Sequence, residues 1–471
     1  MAVRYPDPRP GPGGPAPPFR VECEILNLEW EGEIPEVLHG AFFRCGPDRQ
    51  FPPMPGDPWP TANADGMMSA FYISEGRVDF RMRYVMTERL KAERAAGRAL
   101  FGHYRNPYTD DPSAKGVDRT LANTAAIRFA GRLLACKEDG LPYVIDPLTL
   151  ETVGRFDFDG QLGSKTFAAH PKFDPRTREM LFFAGQIDGE PSDRFLFGIA
   201  DAAGPITHRR EFQAPYPGMV HDFAITETWA LFPFVPVTTD PGRVKAGGPY
   251  WIWEPDRPSR FALVPRAGGE IRWFDGPPYW GWHVMNAYEE GEKVHLDFTV
   301  AARHAIFPDA SGTVAAPDPF RPTRITLDLA SNSQAACFRR LAELGSDFYG
   351  CDPRYVGRPY SYGYMGARDP ARPLAPGYDT LVRLDHATGE WAGWWAGEQS
   401  AAQEPMFTPK APDAPEGEGW LMVVVNDHAR GRAELRILDA ARPGSEPVGC
   451  ARLPFTIPTA LHGTFVPAAE L

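Results

Sequence analysis

Five times along this chain an apolar strand runs into an aspartate, a turn and a second strand: YVID at Asp146, FGIAD at Asp201, ITLD at Asp328, LVRLD at Asp385 and LRILD at Asp439. An aspartate at a strand end favours a turn because its carboxylate accepts hydrogen bonds from backbone N–H groups two residues on. Residues 77–84, RVDFRMRY, alternate polar and apolar as a half-buried strand does, and a Glu-Gly turn joins them to the preceding AFYIS as a hairpin. The 46 Gly and 51 Pro are spread along the chain, which places turns between many short strands. Repeated antiparallel hairpins predict an all-β fold. A propeller suits them best, because radial repetition hides most sheet edges, whereas the two sheets of a sandwich would struggle to use this many strands. The spacing is too uneven to count blades. One helical stretch stands out at residues 87–101, TERLKAERAAGRALF, read as a charged insertion above the blades.

No internal linker interrupts the 471 residues, so residues 1–20 are expected to form a flexible Pro/Gly-rich leader and residues 21–471 a single domain. The net charge of −12 argues against nucleic acid, since phosphate contacts need clustered Lys and Arg. The start lacks an apolar core of signal-peptide length, and no run approaches the roughly 20 apolar residues of a membrane span. A cytoplasmic protein without membrane insertion, monomeric or homodimeric, is the expectation. Cys23, Cys45, Cys136, Cys337, Cys351 and Cys450 show no CxxC spacing and are expected to be reduced and mostly buried.

Among eleven histidines, four have apolar company: His170 in AAHPKFDP, His221 in MVHDFAIT, His283 in GWHVMNAYEE and His462 in ALHGTFVP. The other seven (His39, His103, His208, His295, His304, His386 and His428) lie mostly in polar or turn-like contexts. Each of the four, taken alone, reads more readily as a hydrogen-bonded core histidine than as a ligand, and their spacing matches no local zinc motif. A propeller alters the balance, because inner strands of different blades converge on one axis. Four neutral imidazoles leave a divalent ion its full charge and, in octahedral geometry, two open positions. That suits iron(II) and O2 chemistry, whereas structural zinc prefers a closed four-ligand site.

These windows, with NADGMMSAF, FGHYRNPYTDDPS, ANTAAI, LACKEDGLPYVIDP and AAQEPMFTP, give the chain a specific likeness. Over residues 31–467 it resembles the carotenoid cleavage oxygenase family, in its lignostilbene dioxygenase and isoeugenol oxygenase branch. The resemblance implies a seven-bladed β-propeller, with helices and loops capping the active-site face, and iron(II) on the axis held by His170, His221, His283 and His462. It also implies carboxylates that take the second N–H of the imidazoles and fix the rings: Glu138 for His221, Glu404 for His462, and Asp347 for His283. Many relatives carry a Glu at this last position, one methylene longer. Thr124 matches a residue facing the open iron position, and reads equally as a buried Thr bonded to backbone.

Tyr104 and Lys137 match the pair that grips a phenol hydroxyl in stilbene cleavers. The chemistry is coherent, because an ammonium and a hydroxyl can hold a phenolate whose electrons flow through the ring to the alkene. Read locally, Lys137 is a surface strand lysine and Tyr104 a packed loop aromatic. The stretch around Ala62 lacks the bulky residue common in relatives, which implies a wider pocket or a different substrate, and the charged residues 93–98 lack the greasy patch of membrane-extracting carotenoid cleavers and so favour a soluble aromatic substrate. The expected activity is scission of the central double bond of a 4-hydroxystilbene by O2 into two aromatic aldehydes, with a phenylpropenoid such as isoeugenol, or an apocarotenoid, as the alternative. A calcium-dependent lactone hydrolase would need axial carboxylates and amides rather than histidines. A propeller that only binds partner proteins would need neither the histidines nor the carboxylates.

Overall fold

A computed structural model of the chain describes residues 18–56, 63–189, 191–303, 306–316, 318–369, 371–372 and 377–471. Ala62, His304 and residues 1–17 of the expected leader lie outside the described residues. Phe19 and Arg20, also assigned to that leader, join the fold: their N–H groups donate to the Asp48 carboxylate at 2.7 and 2.8 Å.

The strands form seven antiparallel sheets, the blades of a propeller. Blades 2, 3, 5 and 6 are four-stranded meanders starting at Ala125–Phe129, Lys172–Phe173, Val284–Glu290 and Gly345–Cys351. Blade 4 starts with the short pair Gly218–Met219 and Ala224–Ile225, and blade 7 with Ser400–Ala402 and Met406–Pro409. Blade 1 is built from both ends of the described chain. His462–Pro467 pairs with Gly40–Pro47 as its innermost strand, so the last strand closes the ring against the first blade. Glu29–Gly32 in turn completes the outer edge of blade 7 against Gly449–Arg452. The first strands of blades 4, 5, 6, 7, 1 and 2 touch in succession around the axis.

All five aspartates make the expected turns, for each accepts a bond from the N–H two residues on, at 2.8 to 3.0 Å. Each lies at the end of its blade's third strand, so the motif marks one repeated place in the architecture. The alternation in Arg77–Tyr84 holds as well, because this strand lies toward the outside of blade 1, with one face on the core. Middle strands are apolar on both faces. In Met180–Gly185, Leu181 and Phe183 pack toward blade 4 while Met180, Phe182 and Ala184 pack toward blade 2. One such cluster of buried apolar side chains fills each of the seven blade interfaces.

The helix is shorter than expected, Glu88–Ala96. The Thr87 hydroxyl accepts from Leu90 N, and Gly97, at φ +67°, ends the helix in the left-handed conformation that glycine adopts without strain. Its charges are not all in solvent: Arg89 donates to Asn63 Oδ1 at 2.7 Å, and Glu93 accepts from the N–H groups of Leu100 and Phe101. The loop that follows is clasped to blade 4 by the buried Asn106, whose Nδ2 donates to Val244 O and Gly248 O. Tyr104 and Arg105 precede this clasp and are held by it. Of the cysteines, all free, only Cys45 and Cys136 are fully buried, because the others sit on or near blade edges. Of the histidines read as ordinary from their polar neighbours, His295 is buried on blade 5, where its Nδ1 lies 2.9 Å from the Thr326 hydroxyl, and the half-buried His386 of blade 6 lies 4.0 Å from Asp297, which also pairs Arg324 at 2.7 Å. No described helix is long and apolar enough to cross a membrane.

Candidate metal centre

Each of the four histidines sits on or beside the innermost strand of its blade. His170 is two residues before the first strand of blade 3, His221 lies between the two short inner strands of blade 4, His283 immediately precedes that of blade 5, and His462 opens that of blade 1. A first strand is the one nearest the axis, so side chains hundreds of residues apart in sequence arrive at one point. One ring nitrogen from each of the four lies within 4.8 Å of those of the other three. His170 Nε2 is 3.0 Å from His221 Nε2, which is 3.3 Å from His283 Nε2.

The remaining three blades supply the carboxylates. Glu138 of blade 2 bonds His221 Nδ1, Asp347 of blade 6 bonds His283 Nδ1 at 2.7 Å, and Glu404 of blade 7 bonds His462 Nδ1 at 2.8 Å. The shorter Asp347 therefore reaches its histidine. It lies where the inner strand of blade 6 bulges between Asp347 and Gly350, and Phe348 takes φ +56° there. A carboxylate opposite Nδ1 fixes the proton on that nitrogen, so Nε2 presents a lone pair to the centre. The lone pairs of His221 and His283, fixed in this way, lie 3.3 Å apart and repel one another unless a cation lies between them. Two imidazoles at right angles around one ion, bonded at about 2.1 Å, have nitrogens about 3.0 Å apart, so the donor set fits a divalent metal. Among the described residues no side-chain carboxylate meets His170 Nδ1; burial and the three other imidazoles push its pKa well below the ordinary value.

Charge is balanced closely. Burial pushes the Glu138 carboxyl up, but His221 and Lys137 outweigh it and leave the group well below the usual carboxylate range. Glu404 likewise falls to about 2, burial being overcome by His462 and by Arg44, whose Nη1 donates to Glu404 Oε2 at 2.8 Å.

Lys137 is buried, not a surface lysine. Its Nζ donates to Asn123 Oδ1 at 3.0 Å and lies 5.3 Å from the centroid of the Tyr104 ring. Burial works against its charge, yet Tyr104, Asp139 and Glu138 raise the ammonium above its ordinary value. Thr124 is buried, and its hydroxyl bonds Asn123 Oδ1 at 3.2 Å rather than the backbone; its carbonyl accepts from His462 N. Trp282 packs edge-on against His221 with ring centroids 4.4 Å apart, and Phe348 stacks on His283 at 5.7 Å, giving the centre an aromatic wall.

Three polar residues central to this arrangement have little signal in the sequence. Asn123 joins Thr124 to Lys137. Arg44, fully buried, braces Glu404 and also donates to Leu461 O beside His462. Asp222 binds three of the four histidine segments together: it pairs with Lys172 at 2.7 Å and accepts from Phe223 N at 2.8 Å and from Val284 N at 2.9 Å. The only hint for each is a polar residue inside an apolar run, as in AFFRCG or VHDFA. Exchanging Asp222 for alanine is expected to destabilise the fold by about 3 kcal/mol, since it strands Lys172 and two backbone donors. A melting temperature unchanged from wild type would remove this brace.

The chain is similar to proteins that share nearly its whole length. A family profile described as retinal pigment epithelial membrane protein matches residues 17–467. An isoeugenol monooxygenase of Pseudomonas nitroreducens is 43% identical, with 96% of each chain covered. Lignostilbene-alpha,beta-dioxygenase isozyme III of Sphingomonas paucimobilis is 41% identical, covering 100% of this chain and 99% of that one. The crystal structure of Pseudomonas brassicacearum lignostilbene dioxygenase superposes with a TM-score of 0.95 at 40% identity, covering 99% of this chain and 100% of that chain.

Proposed function

The chain belongs to the carotenoid cleavage oxygenase family of non-haem iron oxygenases, and from that premise we propose that it is an iron(II) dioxygenase cleaving the central double bond of a 4-hydroxystilbene. His170, His221, His283 and His462 would hold the iron, with Glu138, Asp347 and Glu404 orienting three of the rings. The bound iron supplies the O2 chemistry. The reaction balances without a reductant: one alkene and one O2 give two carbonyl compounds, the C=C bond breaking as two C=O bonds form.

The observation that carries the substrate class is the buried Lys137 beside Tyr104, one residue from Glu138. A hydrocarbon chain gives the N–H donors of a buried ammonium nothing to bond. A phenolate oxygen is a suitable counter-ion. Lys137 and Tyr104 would hold it and favour the deprotonated form, and electron density from that oxygen passes through the ring to an alkene at the para position. Thr124 and Asn123 keep Lys137 in place. The aromatic wall of Trp282 and Phe348 excludes water.

A second reading is favoured by the 43% identity to isoeugenol monooxygenase: a phenolic phenylpropenoid, which carries the same para relation of hydroxyl and alkene. Metal analysis followed by O2 uptake with hydroxystilbenes, isoeugenol and an apocarotenoid tests both. Substantial turnover of the apocarotenoid alone would refute the phenolic reading.

Glu138→Gln and Glu404→Gln are expected to weaken iron retention by roughly 10–100-fold, the usual cost of losing the carboxylate partner of a metal-bound imidazole, and Asp347→Asn to do the same. Iron titration with a competing chelator reads this out. Wild-type affinity in all three variants would show that the carboxylates have no bearing on the metal.

A further inference from the structure

Tyr104 lies on a loop between strands, and a group that is to meet a substrate oxygen must be held to within a fraction of an ångström. Its place is set by a tight turn. His103 O accepts from Asn106 N at 3.0 Å, which makes Tyr104 and Arg105 the two central residues of that turn. Arg105 takes φ +55° while Tyr104 stays at negative φ, the pattern of a type II turn. The third place of such a turn ordinarily belongs to glycine, because a residue with a Cβ is strained there. This chain has an arginine instead.

The contacts of the Arg105 side chain account for it. Its Nη2 donates to Oε1 of Gln186, just past the second strand of blade 3, at 3.2 Å. Its Cζ lies 4.7 and 5.5 Å from the ring centroids of Tyr250 and Trp251, which lead into the Ile252–Trp253 strand of blade 4. A guanidinium over aromatic faces is drawn to their negative quadrupoles. The Tyr250 hydroxyl donates to the same Gln186 oxygen, so these anchors also hold one another. Tyr104, meanwhile, lies beside Lys137 of blade 2, whose Nζ is 5.3 Å from its ring centroid. Adjacent residues of one turn therefore reach different blades. Asn106 secures only the far end of the turn, through Val244 O and Gly248 O. A strained backbone persists where its surroundings impose it, and here the imposing contacts are those of the guanidinium.

We propose that Arg105 is the positioning residue for Tyr104: by clamping the turn onto blades 3 and 4 it fixes where the Tyr104 hydroxyl meets the phenol oxygen of the substrate. This rests on the phenolic reading above, and adds to that site a residue that acts on the substrate only through its neighbour. Without the clamp the turn still forms, because glycine suits it, but Tyr104 is then held from one end alone.

The test is a double-mutant cycle on kcat/KM for 4-hydroxystilbene, measured by aldehyde release. Tyr104→Phe is expected to lower it by roughly 10–100-fold, the worth of a hydrogen bond to a charged oxygen. Arg105→Gly should lower it by a similar factor, while iron per chain and melting temperature stay near the wild-type values. In the Tyr104→Phe background, Arg105→Gly should cost less than about threefold more, since the group it positions is already gone. Damage of a merely structural kind would cost as much again in that background. Wild-type kcat/KM in Arg105→Gly, or losses that multiply in the double variant, overturns the assignment and leaves the phenolic reading intact. If Tyr104→Phe turns over 4-hydroxystilbene like the wild type, or the wild type does not cleave it, the phenolic reading falls and the assignment with it. Should Arg105→Gly fail to fold, Gln186→Leu, which removes the acceptor of the Arg105 bond, takes its place in the same cycle and decides the matter.

Discussion

Replacing any one of His170, His221, His283 or His462 by alanine is expected to abolish alkene cleavage, a loss of at least about a thousandfold, while the blades stay folded. The four nitrogens face one point, and no other described group of His, Cys, Asp or Glu shares it. A dication that loses one of four protein donors has too little to hold it, and activity falls with iron content. Folding is a separate matter, because stability resides in seven apolar interfaces and not in the axis. The four variants should still differ in stability. His221→Ala leaves Glu138 buried beside the centre without its imidazole, and His462→Ala does the same to Glu404, though Arg44 still offsets that charge. His170 has no carboxylate to strand, so its loss should cost least. Iron per chain, O2 consumption and melting temperature, measured together, separate these effects. One variant that kept both full iron and full turnover would remove its histidine from the ligand set.

The second large effect concerns the phenol. A 4-hydroxystilbene should be cleaved and its 4-methoxy ether should not, with discrimination on the order of 10⁴, because a site built to bond a hydroxyl leaves buried polar groups unpaired against an analogue that lacks it. The buried Lys137 is the group most exposed to that penalty, since its hydrogen bond to Asn123 leaves the ammonium with further N–H donors to satisfy. Lys137→Met should lower turnover far more than iron content or melting temperature, since Lys137 bonds Asn123 and none of the four histidines. Lys137→Arg should not restore it, for a planar guanidinium cannot take the place of a compact ammonium packed against the Tyr104 ring. Aldehyde release from both substrates, with wild type and both variants, is the measurement. Equal cleavage of the ether would end the phenolate mechanism and turn attention to a non-phenolic alkene.

What the sequence determined by itself was local. An aspartate at a strand end, Asp146 or Asp439, makes its turn with an N–H two residues away, and that chemistry is complete within the motif. Alternation in Arg77–Tyr84 is visible because one face of that strand meets solvent. That the four histidines and three carboxylates belong together was legible only through the family likeness of the motifs around them, because each motif is short and keeps its residues in order whatever the rest of the chain does. The tertiary structure alone decided what meets what. Glu138 finds His221 across 83 residues and Arg44 finds Glu404 across 360, and no spacing rule joins such pairs. Middle strands such as Met180–Gly185 are apolar on both faces, so the sequence carries no period from which to count blades or to place the axis. The burial of Lys137 and the brace at Asp222 come from the same source. They exist only once seven sheets have packed face to face around a centre, because it is that packing which excludes water from them and leaves each polar group dependent on a partner from another blade.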